Sequence, residues 1–142
     1  MKTLITVILT VWVALPTFAQ DNPQIIKVEV FGVEKSNELI FMALYDRDEA
    51  FLEVPLQTMI AKVGEEGKAV WELVLPKGMY AISIFHDKNN NGMLDKNMLG
   101  IPKEKFGFSK NPPLVFGPPS FNDSAFNVQN GLDTVQINLR GL

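Results

Sequence analysis

The sequence contains no cysteine and only one histidine, His86. The absence of cysteine excludes disulfides and thiol nucleophiles, and it also removes the lipid-bearing cysteine that an exported bacterial lipoprotein needs after its leader. A soft-metal site of clustered histidine and cysteine cannot be assembled from one such chain. A metal ion bound by this protein would therefore be a hard cation that is held by oxygen atoms.

Long apolar runs and an excess of positive charge are missing as well. The longest apolar stretch, Leu4 to Leu15, is shorter than the ~20 residues that a membrane-spanning helix needs, so the sequence predicts no transmembrane segment. Lysine and arginine number 13 against 16 aspartates and glutamates, which gives a formal net charge of -3. Such a chain offers no positive field to a phosphate backbone, and we expect no nucleic-acid partner.

The amino-terminal residues have the three parts of a secretory signal peptide. Lys2 comes first, the apolar run follows it, and Pro16 to Gln20 places the small residue Ala19 at the cleavage position. We predict that residues 1–19 are removed and that residues 20–142 form a single domain, since this length suffices for one continuous core. The protein is then exported, either to the periplasm or to the extracellular medium.

Several segments alternate apolar and polar residues with the period of a β-strand. They are Ile25–Val30, Lys68–Leu75 and Asp133–Arg140, while Leu39–Tyr45 is apolar on both sides and Met79–Phe85 reads as a central strand. Gln57–Val63 and Lys68–Leu75 flank a glycine-containing turn, which predicts a hairpin. No long helical pattern occurs.

These patterns predict an all-β fold, a single antiparallel β-sandwich of immunoglobulin-like or transthyretin-like type with about seven strands. A long loop rich in proline and phenylalanine runs from Leu99 to Phe121 with little regular pattern. Its four phenylalanines, Phe106, Phe108, Phe116 and Phe121, favour a segment that is pinned to the sheet and caps the core. The alternative is a ligand-binding or glycan-binding accessory module that uses these aromatic residues as an exposed surface.

Oxygen-bearing side chains occur at alternate positions before Gly92, as in the first half of an EF-hand loop. In that register the calcium ligands are the side chains of Asp87, Asn89, Asn91 and Asp95 and the carbonyl of Met93. Position 12 of the loop, which is a glutamate in EF-hands, is Met98 here, and a strand rather than a helix precedes the loop. We therefore predict weak calcium binding, against the alternative that an asparagine-rich turn is stable without an ion.

Catalytic residues are not indicated by any motif. His86 shares a strand face with Tyr80, Ile82 and Ile84, so we interpret it as a neutral histidine that orients the loop. An exported hydrolase would need an acid and base pair, for which Asp46, Asp48, Glu49 and Glu53 are the available carboxylates. We favour a non-catalytic protein.

Four motifs occur in a fixed order, Leu75–Ala81, Phe85–Asp95, Gly100–Pro102 and Gly107–Ser109. Together they resemble domain-of-unknown-function family 2141, exported bacterial proteins without an assigned activity. The resemblance implies the same export and fold, and it implies no reaction. The turn Pro76–Ala81 is also similar to the start of a strand in transthyretin-like and carboxypeptidase-regulatory-like sandwiches, which are binding or accessory modules more often than enzymes. The sequence thus predicts an exported β-sandwich with an unknown ligand or envelope partner.

Overall fold

A computed structural model of the chain describes residues 22–33, 38–64, 66–115, 117–129 and 134–141. Within them lie eight strands: β1 (Gln24–Phe31), β2 (Leu39–Tyr45), β3 (Gln57–Lys62), β4 (Ala69–Leu75), β5 (Gly78–Asp87), β6 (Phe106–Phe108), β7 (Phe126–Val128) and β8 (Thr134–Asn138). A 3-10 helix at Asp48–Ala50 and a short helix, α1 (Phe121–Ser124), complete the regular structure. The predicted signal peptide lies outside the described residues.

The first sheet has three strands in the order β4-β1-β8. β1 is antiparallel to β4 and parallel to β8, so the predicted antiparallel arrangement fails at one strand pair. Ile26, Val28 and Val30 are fully buried on one face of β1, whereas Lys27 between them is exposed. The alternation seen in the sequence is therefore that of a sheet with one buried face.

The second sheet has five strands, with β3-β2-β5-β6 in order and β7 also paired to β5. β5 is antiparallel to β2 along one edge, and along its other edge it pairs first with β7 and then with β6. This confirms the prediction that Met79–Phe85 belongs to a central strand. β2 is covered on both faces, as its unbroken apolar run predicts.

The two sheets pack face to face as a β-sandwich around one apolar core. Its buried side chains come from strands of both sheets, and they include Ile26, Val28, Ile40, Met42, Leu44, Trp71, Leu73, Ile82, Ile84, Val135 and Ile137. Because each fully buried aliphatic side chain contributes roughly 1.5–3 kcal/mol, this core is the main source of stability in a chain without disulfides.

The other face of the five-stranded sheet is also apolar. Phe41 of β2 and Phe85 of β5 are direct cross-strand partners, and their rings stack at 5.0 Å between centroids. Phe51 meets the rings of Tyr45 and Phe121 edge-on at 5.2 and 5.8 Å. This second apolar cluster holds α1 and the segment after β2 against the sheet.

Two predictions need correction. The turn between Gly64 and Gly67 forms, but its flanking strands do not pair as a hairpin, because β3 joins β2 in one sheet and β4 joins β1 in the other. The long loop is also interrupted by regular structure, since β6 pairs with β5 and α1 begins at Phe121.

None of the helices found in the described ranges is both long enough and apolar enough to cross a membrane.

Candidate functional site

The predicted calcium loop lies at one end of the five-stranded sheet. β5 ends at Asp87, and the chain returns to the sheet at Phe106, where β6 begins. The residues between, 88–105, form the β5–β6 connection, which is closed at its base by a hydrogen bond of 2.9 Å from the His86 N–H to the Lys105 carbonyl. The loop Asp87–Asp95 is the first half of this connection, and a strand leads into it as predicted.

Asp87 is fully buried because the loop folds around its carboxylate. Oδ1 accepts a hydrogen bond from the Asn91 N–H at 3.1 Å, and Oδ2 accepts one from the Gly92 N–H at 2.7 Å. Asn90 and Gly92 have positive φ values of 56° and 78°, a region that asparagine and glycine adopt at least cost. The positions of these residue types therefore dictate the path of the loop.

The side chains of Asn89, Asn91 and Asp95 converge at the outer side of the loop. Asn89 Nδ2 donates to Asp95 Oδ2 at 2.6 Å, and Asn91 Nδ2 donates to Asp95 Oδ1 at 3.2 Å. The amide oxygen of Asn91 accepts the Met93 N–H at 2.8 Å, while Asn89 Oδ1 accepts the Asn91 N–H at 3.2 Å. The structure thus brings together three of the four predicted side-chain ligands, Asn89, Asn91 and Asp95, whereas the Asp87 carboxylate contacts the loop backbone. The role of the Met93 carbonyl stays a prediction.

Glu104, in the second half of the β5–β6 connection, has a structural role that no sequence motif indicates. Its carboxylate is buried and accepts two backbone hydrogen bonds, from Lys88 at 2.8 Å and from Asp95 at 3.0 Å. The Lys103 N–H in turn donates to the Asp95 carbonyl at 2.8 Å. Glu104 therefore fastens both ends of the asparagine-rich loop to the returning chain.

The carboxylates near the Asp87–Asp95 loop are too few to form a metal site without other ligands. Across the described ranges, no group of three or more histidine, cysteine, aspartate or glutamate side chains is arranged to hold a metal ion. A cation at the loop would depend on the amide oxygens of Asn89 and Asn91 together with the carboxylates.

His86 is fully buried on the same face of β5 as Ile82 and Ile84, as its position in the strand predicts. Its Nε2 lies 2.8 Å from Oε2 of Glu38, which precedes β2. Since the imidazole is enclosed in the sandwich, it does not face the solvent-exposed part of the loop. A structural contact to Glu38 is what the geometry supports.

The carboxylates considered for a hydrolase do not form a site. Asp46, Asp48, Glu49 and Glu53 are all exposed, in the segment that follows β2. None of them lines the cleft beside β5 and β6. A shared acid and base pair requires two carboxylates at one cavity, and these residues do not provide it.

Three of the four phenylalanines of the long loop lie in the described residues, and all three are buried. Phe106, Phe108 and Phe121 are 7%, 6% and 6% exposed, and Phe116 lies outside the described residues. The first two pack edge-on at 5.9 Å and face the same side of the sheet as Phe85. These three rings are pinned against the outer face of the five-stranded sheet, and each exposes at most 7% of its surface.

A cleft of about 840 Å³ opens beside them, between the outer face of the five-stranded sheet and the second half of the β5–β6 connection. Phe85 and Phe108 lie at its sheet side, while Leu99 and Ile101 line it from the connection and Val115 from the following segment. No sequence pattern indicates this cleft, because its walls come from strands and irregular segments that are far apart along the chain.

One family model, described as "Uncharacterized protein conserved in bacteria (DUF2141)", matches residues 28–136. The match extends from β1 into β8, so it includes both sheets and the whole β5–β6 connection. It confirms the resemblance that the ordered motifs indicated. No curated protein and no solved structure matches the chain.

Proposed function

The chain belongs to the uncharacterised bacterial family DUF2141, and on that premise we propose that it is an exported, non-catalytic β-sandwich with a weak structural calcium site in the Asp87–Asp95 loop.

Export rests on the signal-like sequence of residues 1–19. When the full chain is produced in a bacterium, we expect the protein recovered from the periplasm or medium to begin at Gln20. A product that retains Met1 and stays in the cytoplasm would contradict export.

The observation that carries the calcium proposal is the meeting of Asn89, Asn91 and Asp95. Two amide side chains lie within 2.6 and 3.2 Å of the two oxygens of one carboxylate, on a loop that is already folded around Asp87. Calcium prefers several oxygen ligands of mixed carboxylate, amide and carbonyl type. Rotation of the two amide groups would direct oxygen instead of nitrogen toward the point where they meet Asp95. It would break the hydrogen bonds that these oxygens accept from the N–H groups of Asn91 and Met93, which further limits the affinity.

Weak affinity follows from the charge of the loop. Asp87 and Asp95 supply two carboxylates, and both oxygens of Asp87 already accept backbone hydrogen bonds. Each carboxylate oxygen retains a second lone pair, so these bonds do not prevent coordination. Dissociation constants of about 0.1–1 mM are typical of extracellular calcium modules and suit a site of this composition.

Thermal unfolding in calcium and in chelator tests the proposal. At a free calcium concentration of 100 times Kd, binding to the folded state adds about 2.7 kcal/mol to the free energy of unfolding. We expect Asp95→Asn to remove most of this calcium-dependent increment, because it removes a charge at the point where the amides converge. The melting temperature in chelator should fall slightly, since the partly exposed Asp95 side chain loses one of the two amide hydrogen bonds that it accepts.

Asp123→Asn is the matched control. Asp123 is an exposed carboxylate that caps α1 through Ser120, far along the chain from the loop. This variant should lower the melting temperature equally in calcium and in chelator and keep the full calcium increment. If the unaltered protein melts identically in both solutions, the loop is a turn that needs no ion.

A further inference from the structure

The cleft beside the five-stranded sheet has one charged lining residue, Lys96. None of the ion pairs found among the described residues involves this lysine. The hydroxyl groups of Tyr45 and Ser83, which lie 3.5 Å apart, are the polar groups on the sheet side. The cleft therefore combines largely apolar walls with a single positive charge.

Three apolar side chains in the walls of the cleft are largely exposed to solvent, and a bound molecule would cover them. Leu99 is 82% exposed, Val115 is 69% exposed and Ile101 is 40% exposed. The connection that carries Leu99 and Ile101 is held in shape by Asn97, whose Oδ1 accepts the N–H groups of both residues at 2.9 and 3.0 Å. A volume of about 840 Å³ lies within the range of small-molecule sites, which are mostly apolar with a few polar groups.

We propose that this cleft binds a free long-chain carboxylate, with the alkyl chain along the apolar walls and the carboxylate paired with Lys96. An alkyl chain covers exposed apolar surface without leaving polar groups unpaired, whereas a sugar would place its hydroxyl groups against Leu99, Ile101 and Val115. The lysine selects an anionic head over a cationic one, because a cation would meet a like charge.

Calorimetric titration of the purified protein with octanoate, decanoate and dodecanoate below their micelle concentrations tests the proposal. We expect one molecule bound per chain, with affinity that rises about fourfold for each added methylene group. Dodecyltrimethylammonium has the same chain length with a cationic head, and it should bind at least about fivefold more weakly than dodecanoate.

Two pairs of variants locate the site. Leu99→Glu places an anion at the cleft and should abolish dodecanoate binding. Val74→Glu makes the same kind of change at an exposed aliphatic residue of β4, which does not line the cleft, and should leave binding intact. Lys96→Gln should weaken dodecanoate about fivefold and remove the preference for an anionic head. Lys62→Gln alters an exposed lysine of β3, at the opposite edge of the sheet, and should bind as the unaltered protein does.

Other outcomes overturn the proposal. Equal binding of the anionic and cationic amphiphiles would remove the role of Lys96. Absence of binding at any chain length in calcium-containing buffer would remove the site, whatever the calcium melts show. Binding only to anionic phospholipid vesicles, weakened equally by Met98→Glu and Leu99→Glu, would identify the tip of the connection as a membrane contact instead.

Discussion

At Glu104, one buried carboxylate accepts backbone hydrogen bonds from two residues that are far from it in the sequence. Lys88 and Asp95 precede it by 16 and 9 residues, and they are the second and last positions of the asparagine-rich region. Removal of this side chain would leave two N–H groups without their acceptor at the base of the loop. Hydrogen bonds to a charged group contribute about 1.5–3 kcal/mol each, more than those between neutral groups.

We therefore expect Glu104→Ala to lower the free energy of unfolding by about 2–4 kcal/mol, as measured by urea denaturation. Glu104→Gln keeps one acceptor oxygen and should give an intermediate loss. Glu53→Ala, at an exposed glutamate, is the control and should change stability by less than about 0.5 kcal/mol. Equal stability of Glu104→Ala and Glu53→Ala would show that the carboxylate does not hold the loop.

The contrast between Asp87 and Glu104 shows what local sequence can reveal about the candidate site. Asp87 was found because its partners, Asn91 and Gly92, follow within five residues and form a recognisable spacing. Glu104 lies between Lys103 and Lys105, where three charged residues in a row are typical of a solvated turn. Its burial depends on contacts with a distant part of the chain, which no local pattern encodes.

At the scale of whole elements, strands were predictable where one face is buried and the other is exposed. β4 shows this most clearly, since Ala69, Trp71, Leu73 and Leu75 are buried and the residues between them are exposed. The partner of a strand was not predictable from the same pattern. β3 and β4 are adjacent in sequence and joined by a tight turn, yet they belong to opposite sheets. Strand length was the other limit, because β6 has three residues and no period can be read from Phe-Gly-Phe.

Ser109 lengthens the short strand β6 by means of its side chain. Its N–H donates to the Ile82 carbonyl at 3.0 Å, and its hydroxyl accepts the Ile82 N–H at 2.9 Å and donates to the Ser124 carbonyl at 2.5 Å. The hydroxyl thus joins β5 to the end of α1. Because Ser109 is fully buried, water cannot replace these bonds without a change in packing.

We expect Ser109→Ala to reduce the free energy of unfolding by about 1–3 kcal/mol, since a buried donor and a buried acceptor lose their partner. Hydrogen exchange should show faster exchange at the Ile82 amide in particular. Thr58→Ala removes an exposed hydroxyl from β3 and should leave both the stability and the Ile82 exchange rate nearly unchanged. An unaltered Ile82 exchange rate in Ser109→Ala would contradict the assigned hydrogen bond.

At the scale of the whole molecule, ion pairs and a hydrogen bond to one glutamate link the strands of the three-stranded sheet on its outer face. Glu29 of β1 lies 2.8 Å from Lys68 Nζ and 2.9 Å from Lys27 Nζ, and Gln136 of β8 donates to its second oxygen at 3.3 Å. Lys68 also lies over the ring of Phe31, 5.0 Å from its centroid. One carboxylate therefore connects β1 and β8 with the residue that precedes β4.

The hydrogen bond from Lys68, and then that from Lys27, lowers the pKa of Glu29 from 4.5 to about 2. A carboxyl group with a lower pKa in the folded state binds protons more readily when the chain unfolds. Its contribution to stability is therefore fully present above pH 4.5 and is lost as the pH falls toward about 2. The free energy of unfolding should therefore decrease between about pH 4.5 and pH 2 in part because Glu29 becomes protonated.

Comparison of the unaltered protein with Glu29→Gln between pH 6 and pH 2 isolates the effect. Glutamine keeps the shape and hydrogen-bonding capacity of the side chain but carries no charge, so the unaltered protein should melt at a higher temperature above about pH 4.5 and the two melting temperatures should converge toward about pH 2. Glu53→Gln should follow the unaltered protein, because Glu53 forms no ion pair within the described part of the chain. Parallel curves for the unaltered protein and Glu29→Gln down to the lowest pH would mean that the lysine pairs leave the ionisation of Glu29 unchanged on folding.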